Sequence, residues 1–461
     1  MPLPAPVNLR VSVIAGSSLV GTVVTVLGLL LLWAVRADGV WVAMFLVPML
    51  ILATAPALAR QAARERDRML FWMLLAALLL KLAGAIVRYV IAIKVYGGFV
   101  DAVDYHLYGA EIAANFRAGH FDTGLESLTS TDFIRFFTGL MYTVIGPSPY
   151  AGFLLYSWLA FWGMFYAYRA FTIAVPGGNR HSYARLLFFL PSMLYWPSSI
   201  GKDAWMLFAL GLAAFGLARI LTGWTWRGLV ITAVGLWMAA VVRPHVAGMA
   251  AIGIAVAYMV GRPQRRGGYS WVIKLAALPA MVVLAVVLLG QTAAFLEKQG
   301  LDPEDGVTSV FEQNASRTSK GGSSYEGAPP GTSPALLPWA AVTILFRPFL
   351  FEAHNAQAAV TALESTVLLG LAIARWRPIL RTVRRFRRLP YVTFVVVYGL
   401  LFVVAFSSIG NFGIIARERV QLLPFFFVLL AAPGVGARRL RPPAPSTPTQ
   451  RSPHAGQLVR A

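Results

Sequence analysis

The stretch Phe99-Val-Asp-Ala-Val-Asp-Tyr-His-Leu-Tyr-Gly109 closes a long apolar run and sets Asp101, Asp104, Tyr105 and His106 side by side. The pattern through Phe116 predicts a helix. A three-residue spacing then puts both carboxylates on one helix face, where they can act separately or hold a divalent metal between them. At a membrane-bounded cleft a carboxylate is partly desolvated, so its pKa rises toward that of a useful general base. Aspartates also suit an ordinary helix start through capping and the dipole. The choice between the two readings depends on what else reaches the same surface.

Several cationic groups are candidates. Lys202-Asp203 follows a stretch broken by Pro191, Pro197 and Gly201, and such breaks are tolerated at membrane depth only beside protein or a water cavity. Arg243-Pro-His245 joins two apolar runs with almost no loop. A charge that deep costs about 2.5–3.5 kcal/mol on insertion scales, so it needs a partner or an anion. Guanidinium with imidazole suits phosphate or pyrophosphate. Arg417, Arg419 and Gln421 lead into another apolar run, and chemistry alone makes both arginines candidate phosphate contacts. Lys81 and Arg88 sit inside one apolar run, seven residues apart and so on one face, with Glu364 as a candidate counter-charge. Lys81 is read as part of an ion pair that fixes helix packing, while Arg88, nearer the outer surface, is the candidate ligand contact.

The elements that must position these groups are apolar helices. Of 461 residues, 58% are hydrophobic and 13% charged, against about 25% charged in soluble domains. Spanning-length runs lie near 11–35, 40–59, 69–96, 149–175, 183–200, 204–221, 227–242, 245–260, 271–290, 358–375, 391–409 and 419–434. The expected fold is an all-α polytopic membrane protein of about twelve transmembrane helices. The runs 133–146 and 335–351 are read as juxtamembrane or re-entrant pieces. The run 11–35 is read as a retained anchor rather than a signal peptide. One transmembrane domain covers 1–436, with an extracytoplasmic acidic segment at 97–131 and a long extracytoplasmic loop at 291–334. A disordered, Pro-rich cytoplasmic tail occupies 437–461.

The formal net charge of +21 does not point to nucleic acid, because the arginines cluster in short connections between apolar runs. With both termini cytoplasmic, the arginine-rich segments 60–68, 179–185, 262–266, 375–388 and 438–441 all fall on the cytoplasmic side of a multi-pass plasma-membrane protein. The opposite side then collects Asp101, Asp104, His106, Lys202, Asp203, Arg243, His245 and the 411–421 segment. The chain contains no cysteine, so disulfide and thiolate chemistry are excluded.

Asp101 stands four residues before Tyr105 in a helix that runs on through Ala113-Ala114 toward Gly119, and Phe136-Phe137-Thr-Gly-Leu-Met-Tyr-Thr-Val-Ile-Gly146 follows. This arrangement over roughly 75–260 resembles the integral-membrane glycosyltransferases of the glycosyltransferase C superfamily, of the protein O-mannosyltransferase and aminoarabinose transferase types. Their external-loop motif is often Asp-Glu-x-x-Tyr. The second acidic position is Ala102 here, with Asp104 as the substitute, which leaves metal use open. The acidic loop also follows the third apolar run rather than the first. The resemblance implies Asp101 as base in transfer of a sugar from a polyprenyl-phosphate donor to a hydroxyl of a glycan, lipid or protein acceptor, with inversion. Asp104 is the second catalytic candidate. Substrate contacts are expected from Tyr105, His106, Arg88, Lys202, Asp203, Arg243, His245, Arg417, Arg419 and Gln421. The alternatives are a lipid-linked oligosaccharide polymerase or ligase of the O-antigen type, and a flippase using Lys81, Arg88 and Glu364.

Overall fold

A computed structural model of the chain describes residues 40–223, 226–261, 290, 307–319, 323–325 and 334–432. The expected run at 11–35, the run at 271–290 (Gly290 apart), most of the 291–334 loop and the 437–461 tail lie outside the described residues. Helix α1 (Val40–Glu65) turns at Arg66 into α2 (Arg68–Val90), which a π-helical turn prolongs over Ile91–Val95. Asp67 starts α2 by accepting a hydrogen bond from the Leu70 amide. An outer hairpin follows, α3 (Asp101–Arg117) and α4 (Ser130–Ile145). Then come α5 (Pro149–Ala174), α6 (Arg180–Phe189), α7 (Pro191–Tyr195), α8 (Lys202–Thr222), α9 (Trp226–Val242) and α10 (Pro244–Val260). The second half has α11 (Val307–Thr318), α12 (Leu337–Phe346), α13 (Ala356–Ala374), α14 (Trp376–Arg384) and α15 (Pro390–Phe406). It ends with α16 (Phe412–Glu418), a 3-10 turn at Arg419–Gln421 and α17 (Leu423–Leu430).

Four of these helices are long and apolar enough to cross a membrane: Val42–Glu65, Arg68–Val95, Lys202–Thr222 and Ala356–Ala374. Shorter apolar helices are Trp226–Val242, Pro244–Val260, Leu337–Phe346 and Pro390–Phe406. Two expected spans are interrupted. The run 183–200 is not one helix, because Pro191 lacks the amide that would carry α6 onward and forces Leu190 into extended backbone. Groups left free here find side chains instead: the Ser192 amide donates to Glu364 at 2.6 Å, and the Met193 carbonyl, which has no donor in Pro197, accepts from Lys81 Nζ at 2.7 Å. The run 419–434 is likewise a 3-10 turn followed by the eight-residue α17.

The core is a set of close helix crossings through small residues. A Cβ built on Gly211 of α8 would lie 2.1 Å from the Gly163 carbonyl oxygen of α5, and one on Gly235 of α9 would lie 2.5 Å from the Ala213 amide nitrogen. Small residues let backbones approach this closely, which is how apolar helices gain contact without a hydrophobic drive. Because the neighbours are backbone atoms, nothing can move aside locally. Gly211→Leu is therefore expected to cost about 3 kcal/mol or more, the upper end for overpacking. Gly370→Leu, which meets nothing within 4 Å, is expected to be neutral. Thermal unfolding of the purified variants in detergent checks both.

The two ends of the bundle differ chemically. At one end the arginine-rich connections meet: Glu65 accepts from Arg180 and from the Tyr168 hydroxyl, Asp67 pairs with His181, and Arg375 donates to the Ala432 carbonyl. At the other end the Tyr96 hydroxyl, just past α2, donates to Gln357 at the start of α13. The N-termini of α3 and α8 and the Arg243 junction belong to this second end. Between the ends, large apolar side chains such as Met44, Trp72, Leu363 and Val367 are exposed along the flanks. Such flanks suit a hydrocarbon surround.

Candidate active site

The second end holds a connected ion-pair network. Asp203, in the first turn of α8, is clasped by two arginines: Arg417 Nε donates to Oδ2 at 2.5 Å and Arg243 Nη2 to Oδ1 at 3.3 Å. Arg243 also takes Glu418 with both terminal nitrogens, Nη2 to Oε1 at 2.8 Å. Gln421 Nε2 donates to the same carboxylate at 2.7 Å. Arg417 Nη1 reaches outward to Asp101 at 3.0 Å. Lys202 sits beside the network and donates to Ser130 of α4 at 3.1 Å.

Local sequence explains how these groups converge. Gly201 has φ +154°, a region that side chains disfavour, and it lets the chain enter α8 against the Tyr105 ring, 3.5 Å from where a Cβ would sit. Asn411 caps α16 by accepting from the Gly413 and Ile414 amides, which orients Arg417 and Glu418 about two turns later. The cap is itself held by the described part of the 291–334 loop. The Tyr325 amide donates to the Gly410 carbonyl, and the Phe412 amide to the Ser323 carbonyl. Tyr325 stacks on Phe412 with ring centroids 4.3 Å apart. Arg243 owes its depth to the short junction between α9 and α10, since Pro244 opens the new helix directly after it.

Burial grades the network from inside to outside. The Asp203 and Arg243 side chains are 6% and 10% exposed, Glu418 12%, Arg417 28% and Asp101 61%. Burial pushes the Glu418 carboxyl above its usual range, against the pull of Arg243. Burial, with the Asp101 charge beside it, pushes the Tyr105 hydroxyl up to about 12, so it stays a neutral donor. The His245 ring lies near Phe406, centroids 6.0 Å apart, two residues beyond Arg243.

Of the expected site residues, Asp101, Tyr105, Lys202, Asp203, Arg243, Arg417 and Gln421 come together here. Four others do not. Asp104 is gripped by Arg135 of α4 at 2.9 and 3.1 Å, so the two aspartates of α3 go to different arginines. That geometry does not fit a metal held between Asp101 and Asp104. Among the described residues, no group of three or more His, Asp or Glu is arranged to hold a metal ion. His106 pairs through Nδ1 with the Tyr142 hydroxyl at 2.9 Å. Arg88 donates to the Tyr195 hydroxyl and lies over the Tyr195 and Trp196 rings. Arg419 is fully buried and turned the other way, donating to Ser365, to the Leu345 and Arg347 carbonyls and to Glu364. Glu364 thus answers Arg419 rather than Lys81. Glu418, which joins Arg243 to α16, had no place among the expected residues.

His106 supplies a pH prediction. Burial lowers its pKa, so between that value and the ordinary one near 6.5 the unfolded chain binds more protons than the folded one. Its contribution to stability is complete above the ordinary value and is lost as pH falls through the window. Melting temperature is expected to drop from pH 7.5 to 5.5, and to drop less in His106→Gln.

The fold and site define a helical protein with membrane-length apolar helices and a buried charge network at one end. Comparison with protein-family models, curated proteins and solved structures finds no match to this chain.

Proposed function

We propose that the chain is a membrane glycosyltransferase that moves a sugar from a polyprenyl-phosphate donor to an acceptor hydroxyl at the extracytoplasmic face. The single observation behind this reading is the convergence of Asp101 with Arg417, Arg243 and Lys202 at the end of the bundle opposite the arginine-rich connections. The donor's prenyl chain lies in the bilayer and its phosphate meets the guanidinium and ammonium groups. Asp101, the most exposed carboxylate of the network, removes the acceptor proton. The acceptor oxygen attacks the anomeric carbon, the bond to the lipid phosphate breaks, and the configuration inverts. Arg417 and Arg243 stabilise the charge that develops on the leaving phosphate. Asp203 and Glu418 hold the two arginines in place.

Transfer from a radiolabelled lipid-phosphate sugar by protein in liposomes tests this, with wild type beside Asp101→Asn and Arg417→Ala. Both variants are expected to lose transfer while remaining folded, and unchanged turnover in both ends the proposal. If Asp101→Asn is tolerated while Arg243→Ala and Arg417→Ala are inactive, a polymerase or ligase acting on lipid pyrophosphates is the better reading. The flippase reading has less support, since Lys81, Arg88 and Glu364 each have a separate partner.

A further inference from the structure

The candidate anion site is neutralised from within. Three cations, Lys202, Arg243 and Arg417, stand among three carboxylates, Asp101, Asp203 and Glu418. The contacts are not equivalent. Asp203 and Glu418 are enclosed and share Arg243, so neither leaves without stranding a buried charge. Asp101 has one contact to the network, to Arg417 Nη1, and its side chain is 61% exposed. It stands in the first turn of α3, where the helix end favours a negative charge with or without Arg417. The remaining bond from Arg417 to the network, through Nε, goes to Asp203. An anion that seeks the outer edge of Arg417 therefore has one competitor.

We propose that Asp101 is an exchangeable occupant of the phosphate position. The phosphate of an incoming prenyl phosphate ester takes its place on Arg417 Nη1, one negative charge for another. The exchange frees the Asp101 carboxylate next to the bound phosphate, so the base is unmasked only when donor is present. Without donor the carboxylate is held by the guanidinium and is not free to turn toward an acceptor. This rests on the phosphate reading of the site but not on sugar transfer itself.

The exchange predicts that removing the proposed base tightens phosphate binding. Full-length protein in detergent is titrated calorimetrically with geranyl phosphate and, in a separate arm, with inorganic phosphate. Asp101→Asn is expected to bind about two- to fivefold more tightly than wild type, the size of one exposed ion pair. Asp104→Asn removes the same charge from the same helix but off Arg135, and it is expected to leave affinity unchanged. A gain for geranyl phosphate alone assigns the position to lipid headgroups, and a gain in both arms admits free phosphate too; either upholds the exchange. Unchanged or weaker binding by Asp101→Asn overturns it, as does an equal gain in Asp104→Asn. If Asp101→Asn binds more tightly but wild type transfers no sugar, the exchange stands and the transferase reading falls.

Discussion

Asp101→Asn is expected to lower turnover of a lipid-phosphate sugar by about 10²–10⁴, the usual contribution of a positioned general base. The amide keeps the size of the side chain but meets Arg417 without a charge and cannot accept the acceptor's proton. Stability is expected to change by less than about 1 kcal/mol, because the pair it weakens is exposed on the aspartate side. Separating these readouts matters. A rate loss with an unchanged melting curve points to chemistry, whereas equal losses would mean that Asp101 only braces α3. The neighbouring carboxylate supplies the contrast. Asp104→Asn loosens the α3–α4 hairpin at Arg135 and is expected to leave the rate within about twofold of wild type, as suits a partly exposed pair. A larger effect at Asp104 than at Asp101 would reverse the assignment of the two aspartates. The measurement is single-turnover transfer in liposomes, beside unfolding in detergent.

Arg243→Ala is expected to destabilise the protein by about 3–5 kcal/mol, because it leaves a buried carboxylate unpaired. Glu418 would keep Gln421 but lose both guanidinium contacts, and Asp203 would keep only Arg417. The argument is tested by removing the charge and the partner together. Arg243→Met with Glu418→Met removes the buried pair, leaves Asp203 on Arg417, and is expected to recover most of the lost stability. Arg243→Lys is expected to fall between, since an ammonium cannot form the two-pronged contact to Glu418 while also reaching Asp203. Urea unfolding of detergent-solubilised protein reports all three. A single Arg243→Ala within about 1 kcal/mol of wild type would show that water already reaches Glu418 and that the network is not a closed site.

Part of the packing was legible in helix geometry alone. Lys81 and Arg88, seven residues apart, both reach the α7 segment, at Met193 and Tyr195. The separation of Arg417 from Arg419 was also open to reading, since residues two apart on a helix do not face one another. One of them had to point away from any common ligand, and Arg419 does, into Ser365 and Glu364. Glu418 was harder to place. Flanked by two arginines it reads as their local counter-charge, yet its bonds run to Arg243 on another helix and to Gln421.

Asp101 and Asp104 show the same limit. Their spacing put them on one face, but Arg135 lies on α4, and only the packing of the hairpin decides which aspartate it takes. What the amino-acid sequence determined by itself was the helical, membrane-length character of the chain and the distribution of arginine-rich connections, because apolar length and local charge need no partner to be read. Which carboxylate meets which guanidinium was decided by tertiary structure. Those contacts join residues up to 316 positions apart, and their geometry depends on helix crossings fixed by backbone approach at glycines such as Gly163 and Gly211.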